Sequence, residues 1–183
     1  MVLVRQATVL DVAAIGRIEV ETWRETYPGI LPDKLLVGLS PRQRARSWTS
    51  YVARSPADIL VATGEKGAVI GFGNCGIQRG GVPDLAGEIF TLYVAPDHQG
   101  QGIGRQLLMG LFRRLIRRDL ASAVVWVLAQ NPSRFFYGRL GGVAVAQRAI
   151  DIGGAKVDAI AYAWRDLPAA LRAQAGTDGR LTE

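Results

Sequence analysis

Apolar residues along this chain recur with either a two-residue or a 3.6-residue period, and the order of those periods outlines a fold. Residues 2–8 alternate loosely and predict a short strand. Thr8-x-x-Asp11 has the form of a capping box, and it opens a helix carrying Ile15, Ile18 and Val20. Tyr27-Pro28-Gly29 ends that helix. Ser40-Pro41 starts a second one, with a serine cap and a proline at the first helical position, and it stops before Pro56. Residues 59–63 and 68–77 predict a strand pair around the short turn 64–67. Arg79-Gly80-Gly81-Val82-Pro83-Asp84 reads as a loop, and residues 88–94 as the next strand. A glycine-rich turn then leads into a helix reaching about Arg118, with Leu107, Leu108, Leu111 and Leu115 on one side. Residues 123–128 are continuously apolar, as in a buried strand. Residues 132–140 predict a short helix with glycine after its end, and residues 143–152 and 157–164 bracket Gly153-Gly154 as a hairpin.

The order is strand, two helices, three strands, helix, strand, helix, two strands. That order predicts one α/β domain of the α+β type: a mixed sheet of about seven strands with helices on both faces. Residues 1–166 make up the domain. Residues 167–183 read as a loosely ordered tail with one helical turn near Ala169.

Composition narrows the picture. The chain has 183 residues, 49% hydrophobic and 21% charged, which suits one ordinary globular domain. No run of about 18 apolar residues is present, so no membrane span or membrane partner is expected. The single cysteine, Cys75, falls in an apolar strand and reads as a buried structural thiol. No basic start followed by an apolar block opens the chain, so a cytoplasmic protein is expected. The net charge of +6 raises nucleic acid, an anionic cofactor or an acidic substrate as partners. Arg113, Arg114, Arg117 and Arg118 are the densest basic group. No aromatic RNA-binding signature and no metal-ligand spacing accompany them, so they read as a solvated helix face, with no nucleic acid and no metal expected.

Candidate chemistry begins at Gln99-Gly100-Gln101-Gly102-Ile103-Gly104, between a strand and a helix. Alternate glycines let the backbone curl and admit a ligand closely. The helix start leaves amide groups without partners and carries a positive dipole, so the turn suits an anion, most often a phosphate. Arg105 in the first turn opposes the dipole, which favours a bound anion. A Walker loop would end in glycine-lysine-serine/threonine, and here Gly104 precedes Arg105-Gln106. A dinucleotide site would need its third glycine one position later and an acid after the next strand, which ends Val127-Leu128-Ala129-Gln130. The glycines alone leave two readings open: an anion site, or a turn that only packs helix on strand.

A resemblance separates these readings. Gln99-x-x-Gly102-x-Gly104 resembles the Gln/Arg-x-x-Gly-x-Gly/Ala signature of the GNAT superfamily of N-acetyltransferases, and it follows the strand ending Leu92-Tyr93-Val94. Asn131, a spacer, and then Phe136-Tyr137-x-x-Leu140-Gly141 resembles that family's later motif. The resemblance covers about residues 59–164. It implies transfer of an acetyl group from acetyl-CoA to a primary amine, by direct attack in a ternary complex. It implies that the amides of Gln99, Gly100, Gln101, Gly102, Ile103 and Gly104, with Arg105, hold the cofactor pyrophosphate. Leu92, Tyr93 and Val94 would flank the pantetheine arm in a splayed gap of the sheet. The Val94 amide would polarise the thioester carbonyl. Asn131 and Ser133 would contact the pantetheine or a phosphate, and Phe136 would pack on the cofactor.

Transfer to an amine needs a group to take the amine proton and an acid for the leaving thiolate. The resemblance puts Tyr137 in place as that acid, and a phenol of pKa about 10 stays protonated at neutral pH. Glu88 is the candidate base, because strict alternation puts Glu88, Phe90, Leu92 and Val94 on one strand face. An ion pair is the competing reading, and a bulge would break the alternation. Glu25 and Glu21 are further candidates. Trp23 and Tyr27 share a helix face and read either as simple packing or as part of the acceptor pocket, where with Glu88 they would bind a small-molecule or peptide amine. His98 reads as a loop residue or a neighbour of the cofactor. Two other functions stay open: a non-catalytic acyl-CoA-binding module, and an acetyltransferase of protein N-termini or ribosomal proteins. The late hairpin offers a surface for a homodimer.

Overall fold

Thr8 and Asp11 make the reciprocal cap that their spacing predicts. The Thr8 amide donates to Asp11 Oδ2 at 2.7 Å. Arg5 clamps the same carboxylate through two bonds of 2.8 Å each, which lowers the Asp11 pKa. These contacts belong to a computed structural model that describes residues 2–178. One tight turn, Val9–Asp11, precedes helix α1 (Val12–Thr26). Helix α2 (Asp33–Gly38) follows Pro32 and buries Leu36; it is too short to leave a periodic signal in the sequence. Helix α3 (Pro41–Arg54) starts as expected, with the Gln43 amide donating to Ser40 Oγ at 3.4 Å. A Cβ at Gly16 would lie 2.6 Å from the backbone of Pro41 and Ala45, so α1 and α3 approach as closely as they do only because residue 16 is glycine.

Seven strands form one sheet: β1 (Leu3–Gln6), β2 (Ile59–Thr63), β3 (Val69–Ile77), β4 (Gly87–Val94), β5 (Ala123–Leu128), β6 (Val143–Ile152) and β7 (Ala155–Trp164). Their spatial order is β1-β2-β3-β4-β5-β7-β6. Every neighbouring pair is antiparallel except β4 and β5, which are parallel. The fold class is the one expected, a mixed seven-stranded sheet with helices on both faces.

Alternation along β2 shows the two layers. Leu60 and Ala62 point to helix α4 (Ile103–Ile116) and its Leu107, Leu108, Leu111 and Leu115. Ile59 and Val61 point to the other face, against Ile15 and Ile18 of α1 and Val52 of α3. Burying a residue such as Leu111 completely is worth roughly 1.5–3 kcal/mol, so the two layers carry most of the stability.

Residues 167–178 depart from the expected loose tail: they form helix α6 (Leu167–Asp178). Leu167 is fully buried in the α4-side core, its amide donates to Ala121 O at 2.8 Å, and Asp166 accepts from the Ala169 amide at 2.8 Å. Asp166 as cap with Pro168 in the first turn was the sequence signal for this helix. Residues 179–183 lie outside the described residues. No described helix is long and apolar enough to cross a membrane.

Candidate active site

The site begins where the sheet opens. β4 and β5 pair only through Gly87, Ile89 and the residue between them, against residues 123–125. Beyond Ile89 the register of β4 on β3 shifts, and the two parallel strands part. β5 stays paired with β7 along all six of its residues, so β4 is the strand that leaves. The Ala95 amide donates to Ile70 O at 2.8 Å, and antiparallel alternation from that pair turns the amides of Leu92 and Val94 away from β3, into the gap.

The gap widens into a cleft of about 700 Å³. Gly100 and Gly102 take positive φ, 73° and 77°, at one end of it. Gly102 is the N-cap of α4 and supplies no side-chain cap, so the first amides of α4 have no helical partner. The Gln99 side chain donates to Val94 O at 3.1 Å and ties the turn to the strand. Phe136 packs against Gly104: a Cβ there would lie 3.4 Å from its ring. Ile103 is buried in the core beneath the turn and still borders the cleft.

Some expected residues sit otherwise than predicted. Gln101 borders a separate depression next to Asp97 and Glu25, and its side chain donates to Asp97 O at 3.3 Å. Arg105 borders the cleft, but its guanidinium donates to the Gln174 backbone at 2.6 Å and side chain at 3.0 Å, drawing α6 to the start of α4. His98 lies between the cleft and the depression, and its Nδ1 is buried with no partner among the described residues.

Helix α5 (Arg134–Arg139) supplies the opposite wall. Asn131 Oδ1 accepts from the Ser133 amide at 2.8 Å, which starts the turn into α5. Its Nδ2 donates to the Tyr27 hydroxyl at 3.2 Å. Tyr137 is buried among Phe136, Tyr162 and Trp164 and faces the cleft. Burial pushes the Tyr137 phenol pKa well above its ordinary value, so it stays protonated. Burial does the same to Tyr93, whose hydroxyl accepts from Trp23 Nε1 at 3.0 Å.

The far end of the cleft is aromatic and aliphatic. Trp23 and Tyr27 meet edge to face at 5.2 Å, and Leu31, Phe90, Trp126, Ile150 and Ile152 complete the wall. Glu88 is not among these residues. The register shift in β4 is a bulge, so Ile89 and Leu92, three apart, share the α4 face and the count from Val94 back to Glu88 fails. Glu88 is buried and paired with Arg79, at 2.6 Å to its side chain and 2.9 Å to its amide. Glu21 pairs with Arg17 at 2.9 Å, and Glu25 borders the other depression. No aspartate or glutamate among the described residues lines the cleft.

A family model described as the acetyltransferase (GNAT) family matches residues 17–142. The uncharacterised N-acetyltransferase YuaI of Bacillus subtilis is 35% identical over 92% of this chain and 96% of its own. The chain belongs to the GNAT family of acetyltransferases. Its fold matches YncA of Salmonella typhimurium, solved with acetyl-CoA, at TM-score 0.66 and 26% identity over 91% of this chain and 94% of that one. It also matches the PaiA N-acetyltransferase of Thermoplasma acidophilum, solved with coenzyme A, at TM-score 0.66 and 20% identity, covering 87% of this chain and 98% of that one. Sequence reasoning about this acetyltransferase missed Phe90, Trp126, Ile150 and Ile152 as lining residues. Trp126 sits inside an apolar run that reads only as a buried strand. Ile150 and Ile152 lie on the edge strand β6, which joins the site only through its pairing with β7, itself paired with β5. Among the described residues no cluster of side chains suits a metal ion.

Proposed function

We propose that this acetyltransferase moves the acetyl group of acetyl-CoA to a primary amine by direct attack in a ternary complex. The observation that carries the reading is one cleft shared by three features: the parted strands β4 and β5, the uncapped start of α4, and Tyr137. The uncapped amides and the positive helix end suit a pyrophosphate. The Leu92 and Val94 amides suit an extended chain carrying its own amides, as the pantetheine arm does. In this reading Asn131, Ser133 and Phe136 form the wall against that arm.

The amine nitrogen attacks the thioester carbonyl carbon, forming the C–N bond and a tetrahedral oxyanion, which then collapses as the C–S bond breaks. The Val94 amide stabilises the oxyanion. Tyr137 donates its proton to the departing thiolate, and the proton lost by nitrogen restores the charge balance through solvent. Among the described residues no carboxylate lines the cleft to take that proton, and the aromatic wall favours the reactive free base instead, because desolvation lowers the amine's pKa. Glu88 holds Arg79 at the base of the gap, as a positioning residue.

The test is thiol release from acetyl-CoA with a panel of amines, amino-acid derivatives and peptides. Stoichiometric thiol and N-acetyl product are expected. Coenzyme A binding without turnover of any amine contradicts the catalytic reading and leaves a binding module.

A further inference from the structure

We infer that the acceptor carries an anionic group, a carboxylate or its equivalent, on an apolar body, and that Arg148 receives it; this rests on the acetyl-transfer reading above. Charge in the cleft is the first observation. Among the described residues it is lined by Arg105 and Arg139 and by no acid. A polyamine would bring a second ammonium group past Trp23, Tyr27, Phe90 and Trp126 with no carboxylate to pair with it. Stripping water from such a charge without a partner is prohibitive. An amine that carries a single cation can shed its proton and enter neutral.

The second observation is a wall of donors without acceptors. Arg148 lies on the same face of β6 as Ile150 and Ile152, both of which line the cleft. Its guanidinium stacks 3.9 Å over the ring of Trp126, which also lines it. Arg148 is exposed and forms no ion pair among the described residues. Arg79 stacks in the same way on Phe90, at 4.3 Å, but Glu88 already neutralises it. Trp126 Nε1 is buried and has no hydrogen-bond partner among the described residues. Indole and guanidinium only donate. Two donor groups stacked on each other, with no acceptor between them, suit an anion, and a guanidinium suits a carboxylate in particular. The 79–84 loop closes over this corner, with Gly81 packed against Arg148.

The experiment compares kcat/KM at saturating acetyl-CoA for three matched pairs: phenylalanine and phenethylamine, leucine and isoamylamine, methionine and 3-(methylthio)propylamine. Spermidine is the polycationic comparison. The carboxylated member of at least one pair is expected to exceed its partner, and spermidine, by about 10- to 100-fold, the range of one charge-assisted hydrogen-bonded contact. Arg148→Gln should bring the ratio within that pair close to one, mainly through KM, and Arg148→Lys should restore part of it. Equal or reversed ratios in all three pairs, a preference for spermidine, or a ratio that survives Arg148→Gln overturns the inference while leaving acetyl transfer intact. No turnover of any of the seven amines contradicts the acetyl-transfer reading itself.

Discussion

The Asn131 side chain donates to the Tyr27 hydroxyl at 3.2 Å, across 104 positions of sequence. The same side chain accepts from the Ser133 amide, so one residue fixes the end of α1 against the start of α5. Tyr27 and Asn131 are both buried, and truncating one strands the other. Asn131→Ala should cost about 1–3 kcal/mol. Urea denaturation measures it, and steady-state kinetics should show a rise in KM for both substrates. An unchanged midpoint would mean that the bond contributes nothing to the fold.

Tyr137→Phe keeps the aromatic cage and removes the proton. A positioned acid contributes about 10²–10⁴-fold, so kcat should fall in that range with coenzyme A affinity nearly unchanged. Equal turnover by the variant would remove Tyr137 as the acid.

Gly102 is a left-handed residue, at φ 77°, that also caps α4. Gly102→Ala should destabilise the turn by roughly 1–2 kcal/mol. Coenzyme A binding, followed by calorimetry, should weaken more than the affinity of a pantetheine fragment that lacks the pyrophosphate. An equal loss for both ligands would place the pyrophosphate elsewhere.

Burial raises the pKa of Tyr137 and Tyr93, and raises that of Cys75 from 9.0 to about 12. The folded protein therefore holds protons that the unfolded chain has lost. These groups leave stability unchanged below about pH 9, and stability then falls by about 1.4 kcal/mol per pH unit for each group in its window. Urea titrations from pH 8 upward check the slope, which Cys75→Ala should reduce just above pH 9. In activity, kcat/KM should rise with pH along the ionisation of the acceptor amine and show no falling limb below about pH 10. Two acceptors of different amine pKa should give two different inflections. One inflection common to both would mean an enzyme base, with His98 at the cleft wall the first candidate.

The glycine-turn and Asn131–Tyr137 walls of this cleft were legible in sequence because they are local. The glycine turn and the Asn131–Tyr137 segment are each contiguous, and each carries its own spacing. Glu88 misled because alternation assumes an unbroken strand, and β4 bulges where it must part from β5. The aromatic and aliphatic end, the proposed acceptor half, draws Trp23, Phe90, Trp126 and Ile150 from four elements distant in sequence. Strand pairing assembles them, and no periodicity in the chain states that pairing. The α6 helix was legible in Asp166 and Pro168, but its weak amphipathicity hid it.

In the proposed function one cleft binds acetyl-CoA and passes its acetyl group to an amine. The direct measurement is mass spectrometry of the amine alongside thiol titration, for the wild type and Tyr137→Phe. One N-acetylated amine per thiol, reduced about 10²–10⁴-fold in rate by the substitution, is the predicted result. Thiol release without acetylated amine, or acetylated amine formed equally fast by both proteins, would contradict it.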